Sequence, residues 1–323
     1  MFNKDFNLLT FGYSNLTAED MEKIHAATVR IMSTYGVRVF GREAQEILSA
    51  GGCSVDPETN MVLFPENVIN DCIEWAPSTF TMYARDPEKT VVAGGRNVIF
   101  TNFSAGVDVI DPYTGEKRST TLKDLEDIVR LMDGVKYVDR ITLPIVATDV
   151  PEEIKDMYEA EALFNNTSKH FAHDTEGQEH ARLFYKMASA VAGGPDKLKE
   201  KPIVSSGMCP NSPLEIHESA SVQVIEAARA GVPCNILSMG LCGGTTPVTL
   251  AGTILTTNCE VLAGIVLSQL TEKGAPVFYG SSTTIMDLRL ATSPVGAPEH
   301  AMIGAAAACI GKYYGIPTYV GGT

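Results

Sequence analysis

Basic side chains are scarce in this chain. It carries 25 Lys and Arg against 39 Asp and Glu, a formal net charge of −14 over 323 residues. A nucleic-acid groove needs a clustered basic stripe, so no nucleic-acid partner is expected. The acidic balance fits a solvated surface, a cationic small molecule or a basic partner.

Several chemical signatures are also missing. No GxGxxG turn follows an early strand and no P-loop lysine occurs, which argues against a nucleotide-binding open sheet. No G-x-S-x-G elbow marks a nucleophilic serine. The opening MFNKDFNLLTF lacks a basic start followed by an apolar core, so no secretory leader is expected. The seven cysteines are odd in number and widely spaced, which suits a reducing cytoplasm. Cys234 and Cys242 match no metal-ligand spacing, and no metal is expected. The longest apolar run, VTLAGTILTTNCEVLAGIVLSQL, holds Thr253, Thr256, Thr257, Asn258 and Glu260. Those groups favour a buried core helix over a membrane span.

What is present is ordinary globular composition, 45% hydrophobic and 20% charged, in a length that suits one barrel or two average domains. Residues 1–96 read as a helical, then turn-rich segment packed on a barrel. Thr17 with acids behind it starts a helix whose period runs through Ile24, Ala27, Ile31 and Tyr35. A second helix starts near Arg42 and ends at Gly51-Gly52. From residue 97 a hairpin is expected, with NVIFTNF and VDVID flanking Ser104-Ala105-Gly106. A helix over 121–133 follows. Strands at 140–147, 169–173, 202–208, 233–239, 275–281 and 317–322 then alternate with helices at 153–166, 176–192, 214–230, 248–272 and 298–314. This rhythm means βαβ units and a parallel sheet. With 97–103 counted, the strands number seven. The expected fold class is therefore α/β, a (β/α)8 TIM barrel reduced to about seven strands over 97–323, with an N-terminal helical segment.

Active sites of such barrels lie at the strand C-termini. Those ends are rich in hydroxyls, glycines and sulfur and poor in Lys and Arg, which suits a small neutral or cationic ligand rather than a phosphate. The candidate substrate-binding residues are His170, His173, Ser206, Cys209, Asn211, Met239, Tyr279, Ser281, Ser282 and Thr283. His170 and His173, three apart on a strand, point to opposite faces and cannot chelate one metal together. The Tyr279 ring would supply a cation–π face. Either histidine could instead be a core residue, and Ser212 could act only as a helix cap. A zinc-dependent barrel enzyme using Cys209 and a histidine is one alternative. A non-catalytic binding protein is another.

Two stretches carry a resemblance. CPNSPLEIHESASVQVIEAARAGVPCNILSMGLCGGTTPVTLAGTILTTNCEVLAGIVLSQL and YGSSTTIMDLRLATSPVGAPEHAMIGAAAACIGKYYGIPTYVGGT are similar to the trimethylamine methyltransferase family. The similarity continues more loosely upstream through NNTSKHFAH and ITLPIVATDV. It implies a (β/α)8 barrel that moves a methyl group from trimethylamine to the Co(I) of a partner corrinoid protein. The partner would bring the cobamide, so no tightly bound cofactor is expected here. The resemblance further implies pyrrolysine directly after Thr323, read from an in-frame amber codon, which makes this chain an expected truncation. A branch of the family without pyrrolysine uses quaternary amines such as glycine betaine, and this remains the alternative substrate class. A homo-oligomer is expected.

Overall fold

The computed structural model describes residues 14–321. Thr17 opens α1 (Ala18–Thr34) with a capping box, its hydroxyl accepting from the Asp20 amide while the Asp20 carboxylate accepts from the Thr17 amide. The buried stripe of α1 is Met21, Thr28, Val29 and Met32, whereas Tyr35 is exposed. Of the expected residues, Ile24 and Ile31 pack partly buried against this core and Tyr35 does not. Thr28 turns inward because Asn258 of a long central helix donates to its hydroxyl at 2.8 Å.

Next come β1 (Val37–Val39), α2 (Arg42–Ala50), β2 (Ser54–Asp56), β3 (Met61–Leu63), α3 (Glu66–Trp75), β4 (Thr79–Met82) and β5 (Val91–Gly94). The stretch taken as turn-rich therefore contains a helix and two hairpins. Its strands are three or four residues long, too short to show an alternation, and α3 starts after Pro65 without a side-chain cap. The β4–β5 hairpin sits at the N-terminal end of the barrel strands. Met82 and Ala93 pack there on Phe278, with Phe80 edge-on to that ring at 4.8 Å.

The remaining elements are β6 (Asp108–Ile110), β7 (Lys117–Ser119), α4 (Leu122–Gly134), β8 (Ile141–Thr142), α5 (Lys155–Asn166), β9 (Phe171–Ala172), α6 (Gly177–Ala192), α7 (Pro195–Glu200), β10 (Val204–Met208), β11 (Glu215–Ile216), α8 (Glu218–Ala230), β12 (Cys234–Ser238), β13 (Leu241–Cys242), α9 (Leu250–Thr271), β14 (Val277–Ser281), β15 (Thr284–Ile285), α10 (Pro298–Tyr314) and β16 (Thr318–Val320). Six of the strands form one parallel sheet in the order β16-β14-β12-β10-β9-β8, curled into a half-barrel of the TIM type with helices outside.

The expected hairpin lies elsewhere. Residues 97–103 form no ladder, and β6 pairs with β7 across the turn at Asp111–Gly115. The 97–106 segment instead runs beside β8. Ala105 N donates to Leu143 O and Gly106 N to Pro144 O, both at 3.0 Å. The Asn102 side chain takes the place of a ladder rung, accepting from Thr142 N at 2.9 Å and donating to Thr142 O at 2.8 Å. The seven expected wall positions are therefore six ladder strands and one irregular segment. Helix α8 begins at Glu218, later than expected, because β11 first pairs in parallel with β1 and ties the N-terminal segment to the wall.

Helix α9 is long and apolar enough to cross a membrane, but here it is the central core helix. Its buried residues occupy all sides, which is the pattern of a helix covered by neighbours all round.

Candidate functional site

Strand parity decides what faces the barrel interior. Successive strand residues point to opposite sides of a sheet. In β14, Phe278 faces inward and Tyr279 faces the helices. The Tyr279 hydroxyl donates to Asn258 Oδ1 of α9 at 2.9 Å, and its ring lies 6.2 Å from that of Tyr314 in α10. The expected cation face on Tyr279 is thus corrected: the ring is fully buried in the helix layer. Tyr279→Phe should cost about 1–3 kcal/mol by leaving a buried acceptor unpaired, and urea unfolding of the variant checks it.

Parity removes four more candidates from the interior. Ser206 accepts from the Tyr185 hydroxyl of α6 at 2.9 Å. His173 Nε2 donates to the Asp156 carbonyl at 2.8 Å, and its ring meets Phe184 edge-on. Ser281 accepts from Thr283 N at 3.3 Å, and Thr283 donates to the Ser238 carbonyl at 3.3 Å. All four are buried between sheet and helices. Burial also pushes the His173 imidazole down to about 4, so it is neutral at physiological pH.

His170 does face inward, opposite in sense to His173 as expected, but at the N-terminal end of its strand. It donates from Nδ1 to the Tyr83 carbonyl at 3.0 Å beside the β4–β5 hairpin. Burial, with the Arg140 charge nearby, depresses its imidazole to about 3.

The other four candidates reach the C-terminal mouth. Cys209 and Met239 are both exposed there, with their sulfurs 3.6 Å apart. The exposed Asn211 holds a turn through paired main-chain bonds to Glu215 at 2.8 and 2.9 Å. Ser282 is half-buried, and its amide donates to the Ser238 carbonyl. Thr323, the expected neighbour of a pyrrolysine, lies outside the described residues. No group of three His, Cys, Asp or Glu side chains suited to a metal occurs among the described residues.

Three interior groups were not singled out from the sequence. Asp174, at the end of β9, accepts from the Gly207 amide at 2.6 Å and remains open to solvent from the mouth. Crowding by the walls raises its carboxyl to about 6, against the opposing pull of the Gly207 amide and the Arg140 charge. Asn235 points between two glycines, and its Oδ1 has no partner among the described residues. A Cβ on Gly280 would meet that oxygen at 2.4 Å, and one on Gly207 would come 3.4 Å from the Asp174 carboxylate. Glycine is therefore required at 280 by the close approach of Asn235, and at 207 it leaves the Asp174 carboxylate free of a neighbouring side chain. His300, at the start of α10, bonds the Thr283 carbonyl at 3.2 Å through Nδ1. Its Nε2, without a partner among the described residues, lies 2.9 Å from where a Cβ on Gly321 would stand.

The mouth is latched from behind. Glu260 of α9 is wholly buried and accepts from the Ser238 hydroxyl at 2.6 Å, the Ser212 hydroxyl at 2.9 Å and the Leu214 amide at 3.0 Å. It fixes the loop carrying Cys209 and Asn211 against the end of β12. Ser212 is therefore a latch contact, and α8 starts further on at Glu218 with His217 before it.

The family model for trimethylamine methyltransferase (MTTB) matches residues 10–323. The chain belongs to that family. Trimethylamine methyltransferase MttB of Desulfitobacterium hafniense is 47% identical over 312 residues, which cover 97% of this chain and 63% of the relative. MttB of Methanosarcina barkeri is 40% identical, covering 98% of this chain and 66% of its own length. Glycine betaine methyltransferase of Desulfitobacterium hafniense is 32% identical, covering 96% and 64%. The chain thus spans less than two thirds of the length of the first of these relatives. Among solved structures, the monomethylamine methyltransferase MtmB of Methanosarcina barkeri superposes with a TM-score of 0.51 at 13% identity, covering 97% of this chain and 70% of that one. That likeness concerns the fold alone.

Proposed function

We propose that this chain forms the amine-binding part of a trimethylamine:corrinoid protein methyltransferase. The observation that carries the reading is Asp174, a solvent-reached carboxylate at the mouth end of the barrel interior, paired among the described residues only with a main-chain amide. Trimethylamine is an ammonium ion at neutral pH, and a carboxylate in a confined site attracts and orients it. Glycine at 207 keeps a side chain away from that carboxylate, because a Cβ there would stand 3.4 Å from it.

Two features of the mouth fit a carrier that presents a cobamide. Met239, Leu288 and Leu290 expose apolar surface there, at 50%, 70% and 72%. The loop bearing Cys209 is held rigidly by Glu260. The cobamide, when its carrier docks, supplies the Co(I) nucleophile that accepts the methyl group. The chain itself binds the amine through Asp174 and turns one methyl outward. A pyrrolysine following Thr323 belongs to the same proposal, since β16 runs to the mouth beside Ser282.

The test mixes the purified protein with a reduced corrinoid carrier and trimethylamine, and measures dimethylamine formed and the spectrum of the carrier. Dimethylamine release with methylated carrier supports the reading. Turnover of glycine betaine without turnover of trimethylamine would replace it with the quaternary-amine reading. No turnover of either, in this chain and in a form extended past Thr323, would sink both.

A further inference from the structure

Two buried cations can be compared. Lys169 is 5% exposed and donates to the carbonyls of Met132 and Val135, each at 2.7 Å. It is satisfied in the usual way for a buried charge. Arg140 is 3% exposed and is not. Its Nε and Nη1 have no partner among the described residues, and its Nη2 makes a single long bond to Ser205 Oγ at 3.4 Å. No acidic side chain among the described residues forms an ion pair with it, although the Asp174 charge is felt from a distance. The faces of Phe278 and Tyr319 lie 5.8 and 5.4 Å from the guanidinium carbon. Such stacking offsets part of the desolvation of an arginine but supplies no negative charge.

The guanidinium also borders a cavity of about 470 Å³ at the N-terminal end of the half-barrel. Thr79 and Gly94 of the β4–β5 hairpin form one wall, Ile99 and Thr101 another, and Pro317 the third. The size is that of a small-molecule pocket. Ile99, Ile316, Pro317 and Phe278 give it apolar surface, Thr79, Asn97, Thr101 and Lys312 give it polar surface, and the Arg140 guanidinium, which has no counter-charge of its own, borders it. Lys312 also lines the cavity but is half-buried and already engaged, so Arg140 is the cation there that lacks a counter-charge, and a dianion would bring more negative charge than it can match. A second cation would be repelled. A single carboxylate neutralises Arg140 and places its hydrocarbon against Ile99 and Pro317.

We propose that this cavity binds a monocarboxylate with an apolar body, held by the free donors of Arg140. The site lies at the opposite end of the half-barrel from the mouth and stands whether or not methyl transfer is the activity. A ligand there fixes the hairpin, Arg140 and β16 in one arrangement, so occupancy stabilises the floor of the barrel.

The test is a calorimetric titration with benzoate and with benzamide, its neutral counterpart of the same shape. Benzoate is expected to bind at one saturable site, with benzamide at least about tenfold weaker, because only the anion repairs the unpaired charge. Arg140→Met should weaken benzoate roughly 10- to 150-fold. Ile99→Trp, which fills the same volume and leaves Arg140 in place, should weaken it too, with an unchanged circular dichroism spectrum. If Arg140→Met does not fold, the benzoate–benzamide comparison on the native protein and the Ile99→Trp titration decide. No benzoate binding, equal binding of the two ligands, or full affinity in either variant would overturn the proposal.

Discussion

Asp174→Asn should be at once a weaker amine binder and a more stable protein. The affinity half follows from charge. Replacing the carboxylate by an amide keeps an acceptor for the Gly207 amide but removes the attraction for an ammonium ion. A loss of roughly 10- to 100-fold in trimethylamine affinity is expected, about 1.4–2.8 kcal/mol. The native protein should show a matching pH dependence. Its carboxyl titrates at about 6, so affinity should be full above pH 7 and fall as pH drops through 6. The variant should be flat over that range. The stability half has the opposite sign. A carboxyl raised above its usual value of 3.8 binds its proton more tightly when folded, so the ionised form works against folding. That penalty is absent at low pH, grows as pH rises from about 4 to 6, and is complete at neutral pH. The amide never pays it. Chemical denaturation at pH 7 and pH 4 should find the variant ahead at the higher pH and level at the lower. A variant that binds the amine as well as the native protein would remove Asp174 from the site.

Glu260→Leu should be among the most damaging single changes in the molecule. Leucine fills a similar volume, so cavity formation is not the main effect. The loss is of an acceptor shared by two hydroxyls and one amide, all drawn together at the base of the mouth loop. Leaving such donors buried and unpaired is expected to cost about 3–5 kcal/mol. Glu260→Gln separates acceptor loss from charge loss. Its carbonyl can still accept, the hydroxyls can reorient, and burial already disfavours the charged form of Glu260. The glutamine variant should therefore lie within about 1 kcal/mol of the native protein. Urea midpoints of the three proteins check the order. Equal midpoints for leucine and glutamine would show that the latch carries no weight.

Helix periodicity made most of the outer layer legible before any coordinates. α10 falls on the expected residues because Pro298 starts it and Gly315, with φ of 73°, ends it. The capping box at Thr17 and Asp20 was readable for the same local reason. Strand positions were also readable, but not strand phase. In a parallel strand such as Val277–Ser281 every residue is buried, so the sequence carries no alternation to say that Phe278 looks inward and Tyr279 outward. Nearness to a strand end was a poor substitute, and it selected His173, Ser206, Tyr279, Ser281 and Thr283 from the helix side. Asp174 needs its partner to be noticed, and the Gly207 amide is 33 residues away. Arg140 likewise means little until Phe278 and Tyr319 are brought over it from far along the chain.

Asn102 has a consequence for how copies of the molecule stick together. By inserting its side-chain amide where a main-chain rung would be, it ends the sheet at β8 with an irregular margin that cannot template a foreign strand. Copies of the molecule should therefore not add strand to strand along the β8 side, however crowded the solution.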